Sequence, residues 1–174
     1  ISSNQNTTAT ETQNKIVEVP KIKTQITGKT LGFVDFPLSF QATTFGLFGE
    51  QLYYGKYFWN FGDGDSKEMQ VNSLEKLTHT YFYPGDYIVS LEYYTNYYRE
   101  TSDASDKMTI KIVKADVSIS LVGDEKDFFV ELMNNTNYDI DISNWTLGSS
   151  LKSFTFPKNT ILGLKKKVVF SSQI

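Results

Sequence analysis

Two stretches decide the fold: WNFGDG over residues 59–64 and HTYFYPGDYIV over residues 79–89. Aromatic and β-branched residues dominate the second stretch and include Trp59 and Phe61 of the first, so each predicts a strand. Gly62 and Gly64 permit a sharp reversal after the first strand, because glycine adopts positive φ without steric cost. Trp59 is then expected on a central strand, where its ring fills the space between two sheets of a β-sandwich.

The two stretches resemble the PKD (polycystic kidney disease) domain family, whose pattern is W-D-F-G-D-G followed by H-x-Y-x-x-P-G-x-Y-x-V. Every position matches except Asn60, where the family more often has Asp. The resemblance covers residues 24–114 and implies an immunoglobulin-like β-sandwich. It also implies structural roles for the residues that carry the motif: Trp59, Phe61, Gly62, Asp63, Gly64, His79, Tyr81, Pro84, Gly85 and Tyr87.

The amino-acid composition excludes several classes of function. The 174 residues include 17 basic and 20 acidic side chains, for a net charge of −3, so a broad nucleic-acid surface is not expected. The chain has no Cys and one His, which excludes disulfides and thiolate metal sites and leaves one candidate for histidine catalysis. No apolar run reaches about 18 residues, so no membrane-spanning segment is predicted. Because the chain opens with Ile1, we expect a processed or trimmed piece.

The pattern along the chain predicts an all-β protein with two immunoglobulin-like sandwiches in series after a disordered N-terminal arm. Residues 1–15 are mostly Ser, Thr, Asn and Gln and predict a flexible linker. Residues 16–114 form the first predicted sandwich, with a turn at residues 102–106. Its best helical candidate is the short piece 72–77, in which a serine caps a turn.

Residues 115–174 resemble a lamin-tail domain. The resemblance rests on DFFVELMNNT at 127–136, IDISNWTL at 140–147 and FTFPKNT at 154–160, and it gives Trp145 a structural role. Asn144 and Asn159 stand at the family's glycine positions, and asparagine tolerates left-handed backbone better than other non-glycine residues. The resemblance implies a second immunoglobulin-like sandwich, which is incomplete because the chain ends before the family's last strands.

Catalysis is not expected. His79 is the only imidazole in the chain, and the family resemblance accounts for it as a residue that packs beside the turn. No nucleophile partner or phosphate-binding loop is apparent. The sequence therefore predicts a non-enzyme that needs no cofactor.

No metal site is predicted, but calcium is the one metal whose binding the sequence does not exclude. Asp63 and Asp65, with Asp86, offer oxygen ligands, but an EF-hand's later ligands are missing. The alternative is that Asp63 accepts hydrogen bonds from the amides of its own turn.

Tyrosines supply the candidate binding surface: Tyr93, Tyr94, Tyr97 and Tyr98, with Tyr53, Tyr54 and Tyr57 nearby in the pattern. They suit either a platform for sugar rings and protein partners or the sandwich core. Neighbours on a strand face opposite sides, so the core cannot absorb both members of each Tyr-Tyr pair.

The two family resemblances imply a non-catalytic structural or adhesive module on the surface of a prokaryotic cell. Its expected partners are other surface proteins or glycans, as the family resemblance implies. One alternative is an accessory domain of a secreted hydrolase. The other is a filament or layer subunit that self-associates by strand exchange, with residues 16–26 as the donor strand.

Overall fold

The computed structural model describes residues 20–124, 129–148 and 153–171, and these residues contain strands and turns but no helix. This confirms the predicted all-β fold class. The strands of the first half are β1 (Lys23–Gly28), β2 (Leu31–Phe33), β3 (Pro37–Phe45), β4 (Lys56–Asn60), β5 (Ser66–Gln70), β6 (Leu77–Thr80), β7 (Gly85–Tyr94) and β8 (Ala104–Val113). Those that follow are β9 (Val117–Val122), β10 (Phe129–Asn134), β11 (Ile140–Asp141), β12 (Thr146–Gly148), β13 (Ser153–Thr155), β14 (Ile161–Leu162) and β15 (Lys167–Ser171).

The first eight strands form two sheets that pack face to face, here called the N-terminal sandwich. One sheet has the order β1-β3-β6 and the other the order β2-β8-β7-β4-β5. All pairings are antiparallel except β2 with β8, which is parallel. Side chains alternate along each strand, so Val89, Leu91 and Tyr93 of β7 face inward while Glu92 and Tyr94 face outward.

The core of the N-terminal sandwich is aromatic and surrounds Trp59, which is 1% exposed. A chain of buried hydroxyls crosses this core between the two sheets. The Tyr57 hydroxyl lies 2.9 Å from the Thr44 hydroxyl, which in turn lies 2.9 Å from that of Thr24. Because each buried hydroxyl has a partner, the desolvation cost of these polar groups is offset.

The remaining strands form a three-stranded sheet of order β15-β10-β9 and two short hairpin-like pairs, β11 with β14 and β12 with β13. They enclose a second hydrophobic cluster that includes Ile140, Ile142 and Phe156. Asn144 and Asn159 have φ values of 62° and 64°, so the expectation of left-handed asparagines is confirmed.

Aromatic contacts connect the two halves of the chain. The ring of Phe36, in the connection between β2 and β3, stacks on the ring of Trp145 with 5.4 Å between centroids and 18° between planes. Phe33 of β2 packs against the second cluster. The lamin-tail resemblance gives Trp145 a structural role. The side chain is half-buried at this junction rather than enclosed in a core.

Three local predictions need correction. Residues 102–106 are not a turn, because β8 begins at Ala104 and its Ser105 and Asp106 pair with β7. Residues 72–77 contain no helix, although the Ser73 hydroxyl does accept the Glu75 amide proton at 3.1 Å. Of the proposed donor strand, residues 16–19 lie outside the described residues and residues 23–26 belong to β1, which pairs with β3 of its own sandwich. Strand donation by that part is therefore wrong.

Candidate functional site

The outward tyrosines gather at one end of the N-terminal sandwich, here called the tyrosine-rich end: Tyr53, Tyr54, Tyr94, Tyr97 and Tyr98. Two loops supply most of them, residues 46–55 before β4 and residues 95–103 after β7. The loops adjoin because Lys56 pairs with Tyr94 across the two strands. Four of the five rings are about half exposed or more, and Tyr98 is 93% exposed.

A network of polar contacts orients two of these rings. The Tyr94 hydroxyl donates to the Glu92 carboxylate at 2.5 Å, and this hydrogen bond raises the pKa of Tyr94 to about 12. The Lys56 Nζ lies 5.4 Å from the Tyr94 ring centre and 5.6 Å from that of Tyr97. Glu68 holds the same ammonium at 3.1 Å, so the cation is anchored between rings and carboxylate.

Asp103 fixes the loop that carries Tyr97 and Tyr98. One of its carboxylate oxygens accepts the amide and hydroxyl protons of Thr95, both at 2.8 Å. The other pairs with the Arg99 guanidinium, and the Tyr98 amide donates to the Asn96 side chain at 3.2 Å. The loop therefore presents its tyrosines from a hydrogen-bonded frame.

Tyr93 must be withdrawn from the predicted binding surface. It is fully buried because it occupies an inward position of β7. Its hydroxyl donates to the Tyr54 backbone carbonyl at 3.1 Å, and burial raises its pKa to about 12. It supports the tyrosine-rich end from beneath.

Lys56 and Glu92 were missed by the sequence analysis as parts of this site. The alternation of β4 and β7 contains the signal, because it sends Lys56, Glu92 and Tyr94 to the same outer face. The register that puts Lys56 beside Tyr94 is a long-range property, and local patterns do not specify it.

The lone histidine, His79 of β6, packs tightly against the turn between β4 and β5. The His79 Nε2 lies 2.6 Å from an Asp63 carboxylate oxygen. The imidazole stacks on Phe61 with 4.0 Å between centres and meets the edge of Tyr81 at 4.6 Å. Tyr81 is itself buried and donates its hydroxyl proton to the Phe61 carbonyl at 2.9 Å; burial and the Asp63 charge raise its pKa.

Of the three calcium candidates, the structure brings together Asp63 and Asp65, and it adds His79, with ligand atoms within 4.8 Å of one another. Asp86 is not in this group. It lies on β7, where its backbone is opposite that of Lys111 on β8. The second Asp63 oxygen accepts the Asp65 amide proton at 3.1 Å, so both oxygens of this carboxylate are engaged within the turn.

The other residues of the sequence motif shape two turns, one between β4 and β5 and one between β6 and β7. Gly62 and Gly64 have φ values of 82° and 104°. Pro84 precedes Gly85, the first residue of β7, and the Tyr87 hydroxyl donates to the Tyr83 carbonyl at 2.9 Å. These contacts are structural in kind, since they connect neighbouring elements rather than open onto a cleft.

Residues 48–110 match the family model of the PKD domain, so the family resemblance of the first half is confirmed. PKD domains have an immunoglobulin-like fold, are typically non-catalytic and are typical of extracellular proteins. No curated protein matches the chain. Among the described residues, no helix has the length and apolar character needed to cross a membrane.

Among the solved structures that resemble the chain are the following two. One is the CARDB domain of a Pyrococcus furiosus protein in complex with di-metal ions, at 13% identity and a TM-score of 0.38, covering 56% of this chain and 97% of that chain. The other belongs to work on promiscuous carbohydrate-binding modules of the β-sandwich superfamily, at 14% identity and a TM-score of 0.45. It covers 89% of this chain and 85% of that chain.

Proposed function

We propose that this chain, with its PKD domain at residues 48–110, is a non-catalytic adhesive module of a prokaryotic cell-surface protein. We further propose that it binds glycans through the tyrosine-rich end. The observation that carries the proposal is the convergence of exposed tyrosine rings from two adjoining loops, residues 46–55 and 95–103.

The orientation of the rings supports a binding role. Tyrosine offers a large flat contact area with few rotatable bonds, so little entropy is lost when it stacks on a ligand. At this end Glu92 and Lys56 further restrain Tyr94 and Tyr97. The neighbouring carboxylates and the ammonium supply acceptors and donors that suit the hydroxyls of a sugar.

The environment of His79 supports a non-catalytic role. Its imidazole stacks on Phe61, meets the edge of Tyr81 and is bound to Asp63, and a general base needs access to a reacting proton. The contacts of this histidine instead stabilise the turn between β4 and β5.

A binding assay on immobilised polysaccharides tests the glycan proposal. We expect the wild-type chain to be retained, and Tyr97→Ala and Tyr98→Ala each to reduce the affinity several-fold. Phe82→Ala is the matched control, because Phe82 is an exposed aromatic residue in the loop before β7, at the opposite end of that strand. Equal loss in all three variants, or retention that survives Tyr98→Ala and Tyr97→Ala together, would exclude this surface.

Protease treatment of intact source cells tests the cell-surface proposal. We expect the module to be released while cytoplasmic proteins stay intact. Resistance of the module in intact cells, with cleavage after lysis, would contradict it.

A further inference from the structure

Three Asn-x-Thr sequences occur in the chain, at residues 6–8, 134–136 and 144–146. This pattern is the acceptor motif for N-linked glycosylation, in which the asparagine side chain receives a glycan. The pattern also arises by chance, so it is informative only where the fold leaves the asparagine and the threonine accessible. The first sequence lies outside the described residues, and the other two differ in their accessibility.

The Asn134 side chain is built into the core of the second half. It is 0% exposed, and its Nδ2 lies within 3.1 Å of the carbonyl oxygens of Tyr138, Leu162 and Gly163. Its Oδ1 accepts the Thr136 amide proton at 2.8 Å, and the Thr136 hydroxyl lies 2.7 Å from the same oxygen. A sugar on Nδ2 would take a proton from this network and would need space that the enclosed site does not offer. The fold therefore excludes a glycan on Asn134.

Asn144 has the opposite environment. It lies in the turn before β12, where its φ is 62°, and its side chain is exposed. Its side-chain amide has no hydrogen-bond partner among the described residues, whereas its backbone N–H donates to the Phe156 carbonyl at 2.9 Å. The Trp145 N–H closes the turn on the Ile142 carbonyl at 3.1 Å. The fold thus holds the backbone of the turn and leaves the side chain in solvent.

Thr146, the hydroxyl residue of the same motif, is accessible as well. It is exposed on β12, and within the described part of the chain its hydroxyl has one neighbour, the Thr155 hydroxyl at 3.3 Å. That distance is longer than the range of about 2.5–3.0 Å that is usual between hydroxyls. A glycan on Asn144 would therefore displace no packed side chain and no strong hydrogen bond.

We propose that Asn144 is the acceptor of an N-linked glycan. The inference rests on the proposed cell-surface location, because such glycans are transferred outside the cytoplasm. The donor is an oligosaccharide carried on a lipid phosphate, and a transferase of the cell catalyses the step. The Asn144 Nδ2 forms a bond to the anomeric carbon, and the bond from that carbon to the phosphate oxygen breaks. The lipid phosphate leaves with the bonding electrons, and one amide proton passes to a base.

A glycan at this position leaves the tyrosine-rich end free. Trp145, the next residue, stacks on Phe36, and β3 begins directly afterwards at Pro37, which pairs with Thr80 just before β7. The tyrosines follow the other end of β7, which has 10 residues. At about 3.4 Å per residue, the two places are about 30 Å apart. The glycan would cover the junction of the two halves instead.

Peptide mapping of the chain from its source cells tests the proposal. Trypsin together with endoproteinase Asp-N releases residues 127–138, with Asn134, and residues 141–152, with Asn144, as separate peptides. We expect the mass of the second peptide to rise by that of an oligosaccharide, and the first to keep its unmodified mass. An unmodified 141–152 peptide in the surface-exposed chain, or a glycan on 127–138 in the folded chain, would overturn the proposal.

Substitutions within the motif test the assignment in a chain secreted from a eukaryotic host. We expect Asn144→Gln and Thr146→Ala each to abolish the mass increase, and Thr146→Ser to keep it, because serine supplies the hydroxyl. Asn159→Gln is the matched control. Asn159 is also exposed and has a φ of 64°, but it lies outside any such motif, so the glycan should be retained. A glycan that persists in Thr146→Ala would contradict the assignment.

The same secreted chain separates this proposal from that of the cell-surface location, since the secretory pathway of the host supplies both donor and transferase. Protease resistance in intact source cells would contradict the cell-surface proposal alone. The secreted chain then decides on Asn144: a glycan on the 141–152 peptide supports the acceptor site, and an unmodified peptide overturns it.

Discussion

Among the residues of the PKD motif, Trp59 lies in the hydrophobic core of the N-terminal sandwich. Trp59 touches the rings of Phe40 and Tyr57 and is nearly inaccessible to solvent. Trp59→Ala is expected to cost about 3–5 kcal/mol of unfolding free energy, as emptying a large aromatic site does. Urea denaturation measures it. Trp145→Ala, at the half-buried junction, is the control and is expected to cost less. A loss below about 1 kcal/mol for Trp59→Ala would contradict this account.

Tyrosine ionisation makes the fold sensitive to alkali. The pKa values of Tyr93 and Tyr94 are raised to about 12 from the ordinary value of 10.0, by burial and by the Glu92 hydrogen bond respectively. Raised values in the folded state mean that the protonated phenols stabilise the fold below pH 10. This contribution is lost as the pH rises through 12.

We therefore expect the unfolding free energy to fall between pH 10 and 12. Tyrosinate absorbance should also lag behind that of the unfolded chain over the same interval. Tyr94→Phe should remove the part that depends on Glu92. A stability that stays constant across this interval would rule out the assigned shifts.

The sequence motif predicts the places of individual residues of the fold, but it predicts only part of the candidate site. It identifies Trp59 and the turn glycines because their conformations are dictated locally. Tyr93 lies outside the motif and was misplaced on the binding surface, since a run of tyrosines does not reveal which member faces inward. That choice depends on the register of β7 against β4, which is set by distant residues.

At the scale of elements, strands with a distinct hydrophobic alternation were predictable and polar ones were not. β5 has the sequence SKEMQ and was missed, because charged side chains on an edge strand hide the alternation while they discourage edge pairing. The turn predicted at residues 102–106 includes the first three residues of β8. Its Asp106 carboxylate accepts the Ile26 amide proton at 2.7 Å, and a partner 80 residues away leaves no local signal.

The turn between β4 and β5 yields a paired prediction. A Cβ at Gly62, where φ is +82°, would lie 2.7 Å from the Ile88 carbonyl oxygen, whereas one at Gly64, where φ is +104°, would meet nothing within 4 Å. Gly64→Ala should therefore cost only the backbone strain, about 1–2 kcal/mol. Gly62→Ala should cost about 1–3 kcal/mol more because of the overpacking. Equal losses in thermal or urea unfolding would refute the difference.

At the scale of the whole molecule, the family match covers residues 48–110, and the lamin-tail resemblance of the second half stays a prediction. The division into residues 1–15, 16–114 and 115–174 also stays a proposal. What the structure adds is a contact between the halves, the stack of Phe36 on Trp145. No sequence pattern indicates this contact, because Phe36 alternates with the apolar Leu38 and Phe40 and so looks like a core residue of the first sandwich.

A double-mutant cycle measures the strength of this contact. Phe36→Ala and Trp145→Ala are expected to be non-additive, with a coupling of about 0.5–1.5 kcal/mol for a stacked aromatic pair. Additive losses would mean that the two halves do not stabilise one another through these rings.

The chain has two tryptophans, and they report on different places: Trp59 lies within the first hydrophobic core, and Trp145 packs against the second. Each half therefore has its own natural fluorophore. The enclosed indole should emit at shorter wavelength than the half-exposed one. Replacing either by phenylalanine leaves a single-probe protein for the other half, and the coincidence or separation of the two emission transitions then tells directly whether the halves unfold as one cooperative unit.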